Sequence, residues 1–211
     1  MDSKLQLIFD ELKHYLTPDV LADMLSKMNA ITEMSRGDGA GLTGGTLIDM
    51  FLTAYLPHII KTFKKCHAGE GDCNVLDVPL SIKKISGKSM IALDWSKNSE
   101  NSKQRERFNA DIMIINIKTE QWWKRNPSDC AQEEKDSAFY LTPVKAGIYI
   151  ISKTYCKANV TLSSNNKTNS LIDEKALYRM LKESMKNNMV IEFPSEVPKH
   201  EFNILNAFVR C

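Results

Sequence analysis

Histidine, cysteine and unbroken apolar sequence are all scarce in this 211-residue chain, and each scarcity removes a class of protein. No apolar run approaches the roughly 20 residues that cross a bilayer. The opening MDSKLQLIFDELKH alternates charged and apolar side chains where a signal peptide would carry a continuous apolar stretch. The expectation is a cytoplasmic protein without a membrane segment. The five cysteines (Cys66, Cys73, Cys130, Cys156 and Cys211) are odd in number and scattered, with no CxxC pair. That pattern argues against a zinc site or a disulfide framework and for reduced, structural thiols. The four histidines (His14, His58, His67 and His200) have no GxSxG partner, so a nucleophilic hydrolase has nothing to stand on.

A phosphate loop is missing as well, although glycine is plentiful in one place. SRGDGAGLTGGT, Ser35 to Thr46, holds five glycines, and GAGLTGGT has glycine at the first and sixth positions of a phosphate loop. The lysine position is Gly45, and without that cation the loop cannot hold nucleotide phosphates in the usual way. SGKS, Ser86 to Ser89, has the lysine but carries Ile82 where the leading glycine should be. A connector into a helix N-terminus is the economical explanation of the glycines. GIY at Gly147–Tyr149 has no YIG partner and reads as a core strand.

What is present suits one globular domain over 1–211, with 43% hydrophobic residues and no repeat or linker. Residues 3 to 14 predict a helix with Leu5, Ile8, Phe9 and Leu12 as its apolar stripe and Ser3 and Gln6 spaced as a capping box. Thr17-Pro18-Asp19 predicts the start of a second helix, with Leu21, Met24, Leu25 and Met28 on its apolar face. An apolar helix over roughly 46–64 follows the glycines. SIKKISGKSMIALDWSK and NADIMIINIKTEQWW then read as two isoleucine-rich strands joined through the polar stretch 98–107, as an antiparallel hairpin. AGIYIISKTYC and ANVTLSS read as two more strands, and 170–185 as a helix with Ser170 and Asp173 as its capping box. The fold class is therefore α/β or α+β, a central mixed sheet flanked by helices.

Charge is uneven along the chain. The net charge is +2, yet the segment from Lys83 to Arg125 holds ten basic against five acidic residues, which leaves the remainder net acidic. A local positive field of this kind suits a polyanion.

Within that segment, MIINIKTEQWW places Asn116 and Lys118 two residues apart, so a strand would point both one way and Ile115 and Ile117 the other. Asp94 ends the apolar run MIAL on the preceding strand. Folding a hairpin would bring an acid, an amide oxygen and a lysine to one point. Those are the groups that metal-assisted phosphodiester hydrolysis uses: oxygens hold Mg2+, and a lysine orients water or stabilises developing charge. Because Asn116 offers only a neutral oxygen, Asp94 and main-chain carbonyls such as that of Ile117 would carry most of the affinity. A plain salt bridge between Asp94 and Lys118 is the alternative.

Asp94, a long interval and then Asn116-Ile117-Lys118 together resemble the PD-(D/E)xK nuclease motif of type II restriction endonucleases. The resemblance implies a restriction-endonuclease-like fold with a catalytic hairpin over 80–125, a helical part over 1–65, and a DNA-recognition and C-terminal part over 145–211. It also implies Asp94 and Asn116 as metal ligands, Lys118 beside the attacking water, and Asp49, within GGTLIDMF on the preceding helix, as a further ligand. Met90 departs from the family, whose first acid often stands at the start of this strand, and Asn116 replaces the usual middle acid. Lys88, Ser89, Lys97 and Asn98, together with Ser164, Asn165, Asn166, Lys167, Thr168 and Asn169 of the run SSNNKTNS, carry amides, hydroxyls and cations suited to reading base edges and phosphates. The expected function is Mg2+-dependent, sequence-specific cleavage of double-stranded DNA by a homodimer. The alternative is an inactive DNA-binding module on the same scaffold.

Overall fold

A computed structural model of the chain describes residues 3–37, 44–65, 72–85, 91–93, 110–125, 142–159, 170–172 and 174–195. The amphipathic stripes read from the sequence become the first helices. In α1 (Ser3–Tyr15), Leu5, Ile8, Phe9 and Leu12 are all buried. Gln6 does not reach back to cap this helix; its side-chain amide donates forward to Asp10 at 2.9 Å. Helix α2 (Pro18–Gly37) starts as expected, the Thr17 oxygens accepting the amides of Val20 and Leu21. Its Leu21, Met24, Leu25 and Met28 are buried. Helix α3 (Gly44–Ile59) carries Pro57 inside its last turn and ends short of the expected 64, because the chain turns into a strand at Phe63.

The remaining elements are β1 (Phe63–Lys65), β2 (Cys73–Val75), β3 (Val78–Ile85), β4 (Ile91–Leu93), β5 (Asp111–Asn116), α4 (Glu120–Arg125), β6 (Gly147–Ile151), α5 (Lys153–Asn159), β7 (Ser170–Ile172), α6 (Glu174–Lys186) and β8 (Val190–Glu192). Among the described residues six strands form one mixed, mostly antiparallel sheet in the order β1-β2-β3-β5-β6-β8, and β4 and β7 pair separately. The fold is thus the expected helix-flanked mixed sheet.

Pairing within that sheet corrects the antiparallel hairpin. Strands β3 and β5 run parallel, Leu80 beside Asp111 through Ile85 beside Asn116, and the Ile117 amide extends the ladder to the Ile85 oxygen. The run 81–97 is not one strand: β3 ends at Ile85, and Ile91–Leu93 pairs antiparallel with Ser170–Ile172. The cause lies in length and burial. About 25 residues separate β3 from β5, enough for the crossover that a parallel pair requires. Every residue of β5 is buried, and a strand apolar on both faces belongs at the centre of a sheet covered on both sides.

Two cores result. On one face Leu80, Ile82, Met113, Ile115, Ile148 and Ile150 pack under α1, α2 and α3. On the other, Ile112, Ile114, Tyr149 and Ile151 pack against Trp123 and against Leu177, Met180 and Leu181 of α6. Each such aliphatic side chain contributes about 1.5–3 kcal/mol relative to an exposed one.

Two further boundaries differ from expectation. AGIYIISKTYC is a strand only to Ile151, after which Ser152 caps α5, its Oγ accepting the Tyr155 amide at 3.1 Å. The core-strand interpretation of GIY holds, with all of β6 buried. At 170–172 the chain is a strand rather than the first turn of a helix, since Ile172 is fully buried in the second core and its backbone pairs with Ile91. The helix follows from Glu174. The second expected strand, ANVTLSS, begins inside α5, where Ala158 and Asn159 are helical, and its remainder from Val160 lies outside the described residues, as do the glycine segment's 38–43.

Candidate active site

Parallel pairing brings the C-terminal ends of β3 and β5 to the same sheet edge, with Ile85 directly beside Asn116. The alternation read from MIINIK survives: Ile115 and Ile117 pack on the first core and Asn116 turns toward the second. Asn116 is fully buried. Its amide Nδ2 donates to the main-chain oxygen of Lys145 at 2.8 Å, and its Oδ1 accepts the main-chain N–H of Lys118 at 3.0 Å. Strand β5 therefore ends in a side-chain-closed turn that sets where Lys118 departs from the sheet.

The Lys145 carbonyl also receives the Tyr149 hydroxyl at 2.6 Å, so both its lone pairs are used. Burial first, and then the Glu192 carboxylate, keep the phenol neutral by raising its pKa above the ordinary tyrosine value. Gly147, which pairs with Asn116 on one side and Glu192 on the other, admits no side chain, because a Cβ there would sit 2.6 Å from the Ile191 oxygen. Sequence inspection missed this support, and nothing local to MIINIK could have revealed it, since Lys145 lies 29 positions away.

Lys118 leaves the strand toward α4. Thr119 caps that helix, its main-chain oxygen accepting the amides of Trp122 and Trp123 at 3.1 and 3.3 Å. The tandem tryptophans divide as a core and a surface residue: Trp123 is 2% exposed and Trp122 is partly exposed. Their rings meet edge to face at 4.6 Å, and Trp123 continues into Tyr178 at 5.8 Å. The Lys118 ammonium stands over the Trp122 ring, 4.6 Å from its centre.

Of the other expected site residues, Asp49 falls on α3 and its side chain lies outside the described part of the molecule. Asp94, Met90, Lys88, Ser89, Lys97, Asn98 and 164–169 lie outside the described residues altogether. Among the described residues no three acids, histidines or cysteines group as a metal site, and no helix is long and apolar enough to cross a membrane. The described thiols Cys73 and Cys156 are buried, and the Cys73 Sγ donates to the Leu80 main-chain oxygen at 3.9 Å.

The chain resembles in structure a restriction endonuclease solved in complex with substrate DNA, with a TM-score of 0.51 and 17% sequence identity over 97% of this chain and 93% of that one. It has a restriction-endonuclease-like fold. No family model and no curated protein matches the sequence.

Proposed function

We propose that the protein is a type II restriction endonuclease of the PD-(D/E)xK class, a single-domain cytoplasmic enzyme that cuts double-stranded DNA at a specific sequence as a homodimer. The observation that carries this proposal is the position of Asn116 and Lys118 at the C-terminal end of a parallel strand pair in a restriction-endonuclease-like fold. Ligands of open α/β sheets gather at that end of the strands. The excess of cations between Lys83 and Arg125 supports a phosphate-rich partner.

In this proposal Asp94, Asn116, Asp49 and the main-chain oxygen of Ile117 would hold Mg2+, an all-oxygen set of the kind this ion takes. Asn116 suits the role in one respect: among the described residues its Oδ1 accepts one bond, from Lys118, and an amide oxygen has a second lone pair. When bound, Mg2+ supplies Lewis acidity toward water and phosphate. Lys118 orients the attacking water and stabilises charge on the phosphate. Hydrolysis is direct, with no protein-linked intermediate. Lys88, Ser89, Lys97, Asn98 and the run from Ser164 to Asn169 contact phosphates and base edges.

A second proposal, an inactive DNA-binding module, draws on the burial of Asn116 behind its own hydrogen bonds and on Met90. Incubating the protein with long linear DNA, in Mg2+ or in EDTA, separates the two. Discrete fragments only with Mg2+ support the endonuclease. Intact DNA with a retained gel shift supports the binding module.

A further inference from the structure

We infer that Trp122 is the positioning residue for Lys118, its ring face holding the ammonium where the cleavage reaction uses it; the inference rests on the nuclease proposal above. A lysine carries four rotatable side-chain bonds and a strongly hydrated head, so a lysine at a strand end has little intrinsic direction. Here two features give it one. Its backbone is pinned, the N–H bonded to Asn116 Oδ1 at 3.0 Å. Its head is placed, the Nζ lying 4.6 Å from the Trp122 ring centre, within the range of a cation–π contact.

The platform under the ammonium is rigid. Trp122 sits four residues after Lys118 on the first turn of α4, whose start Thr119 caps. Its ring packs edge to face on Trp123, which is buried and rests on Tyr178 of α6. The indole therefore cannot rotate away without disturbing the second core. The tandem tryptophans divide the labour: Trp123 anchors the helix and Trp122 presents a flat, electron-rich face to the cation.

The test compares wild type with Trp122→Phe, which keeps a ring face, and Trp122→Leu, which keeps apolar bulk without one. Thermal melts establish that each variant is folded. In steady-state cleavage of a DNA containing the recognised site, Trp122→Leu lowers kcat about tenfold with KM for DNA unchanged, and Trp122→Phe recovers most of the loss. Unchanged kcat in Trp122→Leu overturns the inference, and so does a raised KM with kcat retained, which would make Trp122 a DNA contact. A second readout needs no activity. Ring current from the indole shifts the Lys118 side-chain methylene resonances upfield in wild type, and Trp122→Leu removes the shift. If wild type cuts no DNA but shows the shift, the nuclease proposal fails while the placement of Lys118 by Trp122 stands. If the shift is absent in wild type, the placement itself is overturned.

Discussion

The side-chain amide of Asn116 donates to the main-chain oxygen of Lys145 at 2.8 Å, joining the end of β5 to the start of β6 across 29 positions of sequence. The same side chain accepts the Lys118 amide. One buried residue thus closes the sheet edge and sets the departure of the lysine on which the proposed chemistry depends. Replacing it has a defined cost. Asn116→Ala leaves the Lys118 N–H without its acceptor and removes one donor from the Lys145 oxygen, so unfolding free energy falls by about 1–3 kcal/mol. Chemical denaturation monitored by tryptophan fluorescence measures this, and an unchanged midpoint would show that the network contributes nothing.

Gly147 tests the same edge from its other side. A Cβ at this position meets the Ile191 oxygen at 2.6 Å, a backbone atom that cannot swing aside. Gly147→Ala must separate β6 from β8, and it lowers the melting temperature markedly more than an alanine at an exposed loop position. Amide hydrogen exchange in 147–150 and 190–192 rises with it.

Much of this architecture was legible in the sequence where the signal is local. Leu5, Ile8, Phe9 and Leu12 on α1, and Leu21, Met24, Leu25 and Met28 on α2, follow the helical period, and all eight are buried. Asn116 facing away from Ile115 and Ile117 follows the strand period. What was not legible depends on distant partners. The direction of β3 against β5 is decided by what covers β5 on both faces and by a crossover whose length the isoleucine pattern does not encode. Ser170 and Asp173 have the spacing of a capping box, yet pairing with Ile91–Leu93 draws Ser170–Ile172 into a strand. The tie from Asn116 to Lys145 and Tyr149 exists only once β6 lies beside β5.

Backbone strain offers a stabilising change. Leu76 and Asp77 link β2 to β3 with φ of 51° and 59°, the left-handed conformation of a tight hairpin turn that favours asparagine and glycine. Leu76 is also 39% exposed, so it repays little of that strain through burial. Leu76→Asn stabilises the protein by about 1 kcal/mol, read as a higher melting temperature, and a lower one would show that the Leu76 side chain matters more than its backbone.

Burial raises the Cys156 thiol from its ordinary 9.0 to about 12, with Asp111 adding to the shift. A folded-state pKa above the unfolded one means that the native state holds its proton more tightly. The associated stability is complete below about pH 9 and is lost as pH rises toward about 12. Tyr55 and Tyr149 are raised in the same direction, chiefly by burial, and steepen the alkaline side. Melting temperature recorded between these limits should fall progressively, and Cys156→Ser should flatten part of the slope. Native protein at neutral pH should leave Cys156 unmodified by iodoacetamide, and labelling should appear on unfolding.

The most direct measurement of the central claim compares DNA cleavage and DNA binding by Lys118→Ala with wild type, in Mg2+ at low salt. The account predicts that wild type gives discrete fragments and that Lys118→Ala abolishes cutting while binding DNA almost as tightly, because one phosphate contact among many is lost. Cleavage by Lys118→Ala at the wild-type rate would contradict it, as would a wild type that binds DNA with Mg2+ present and never cuts it.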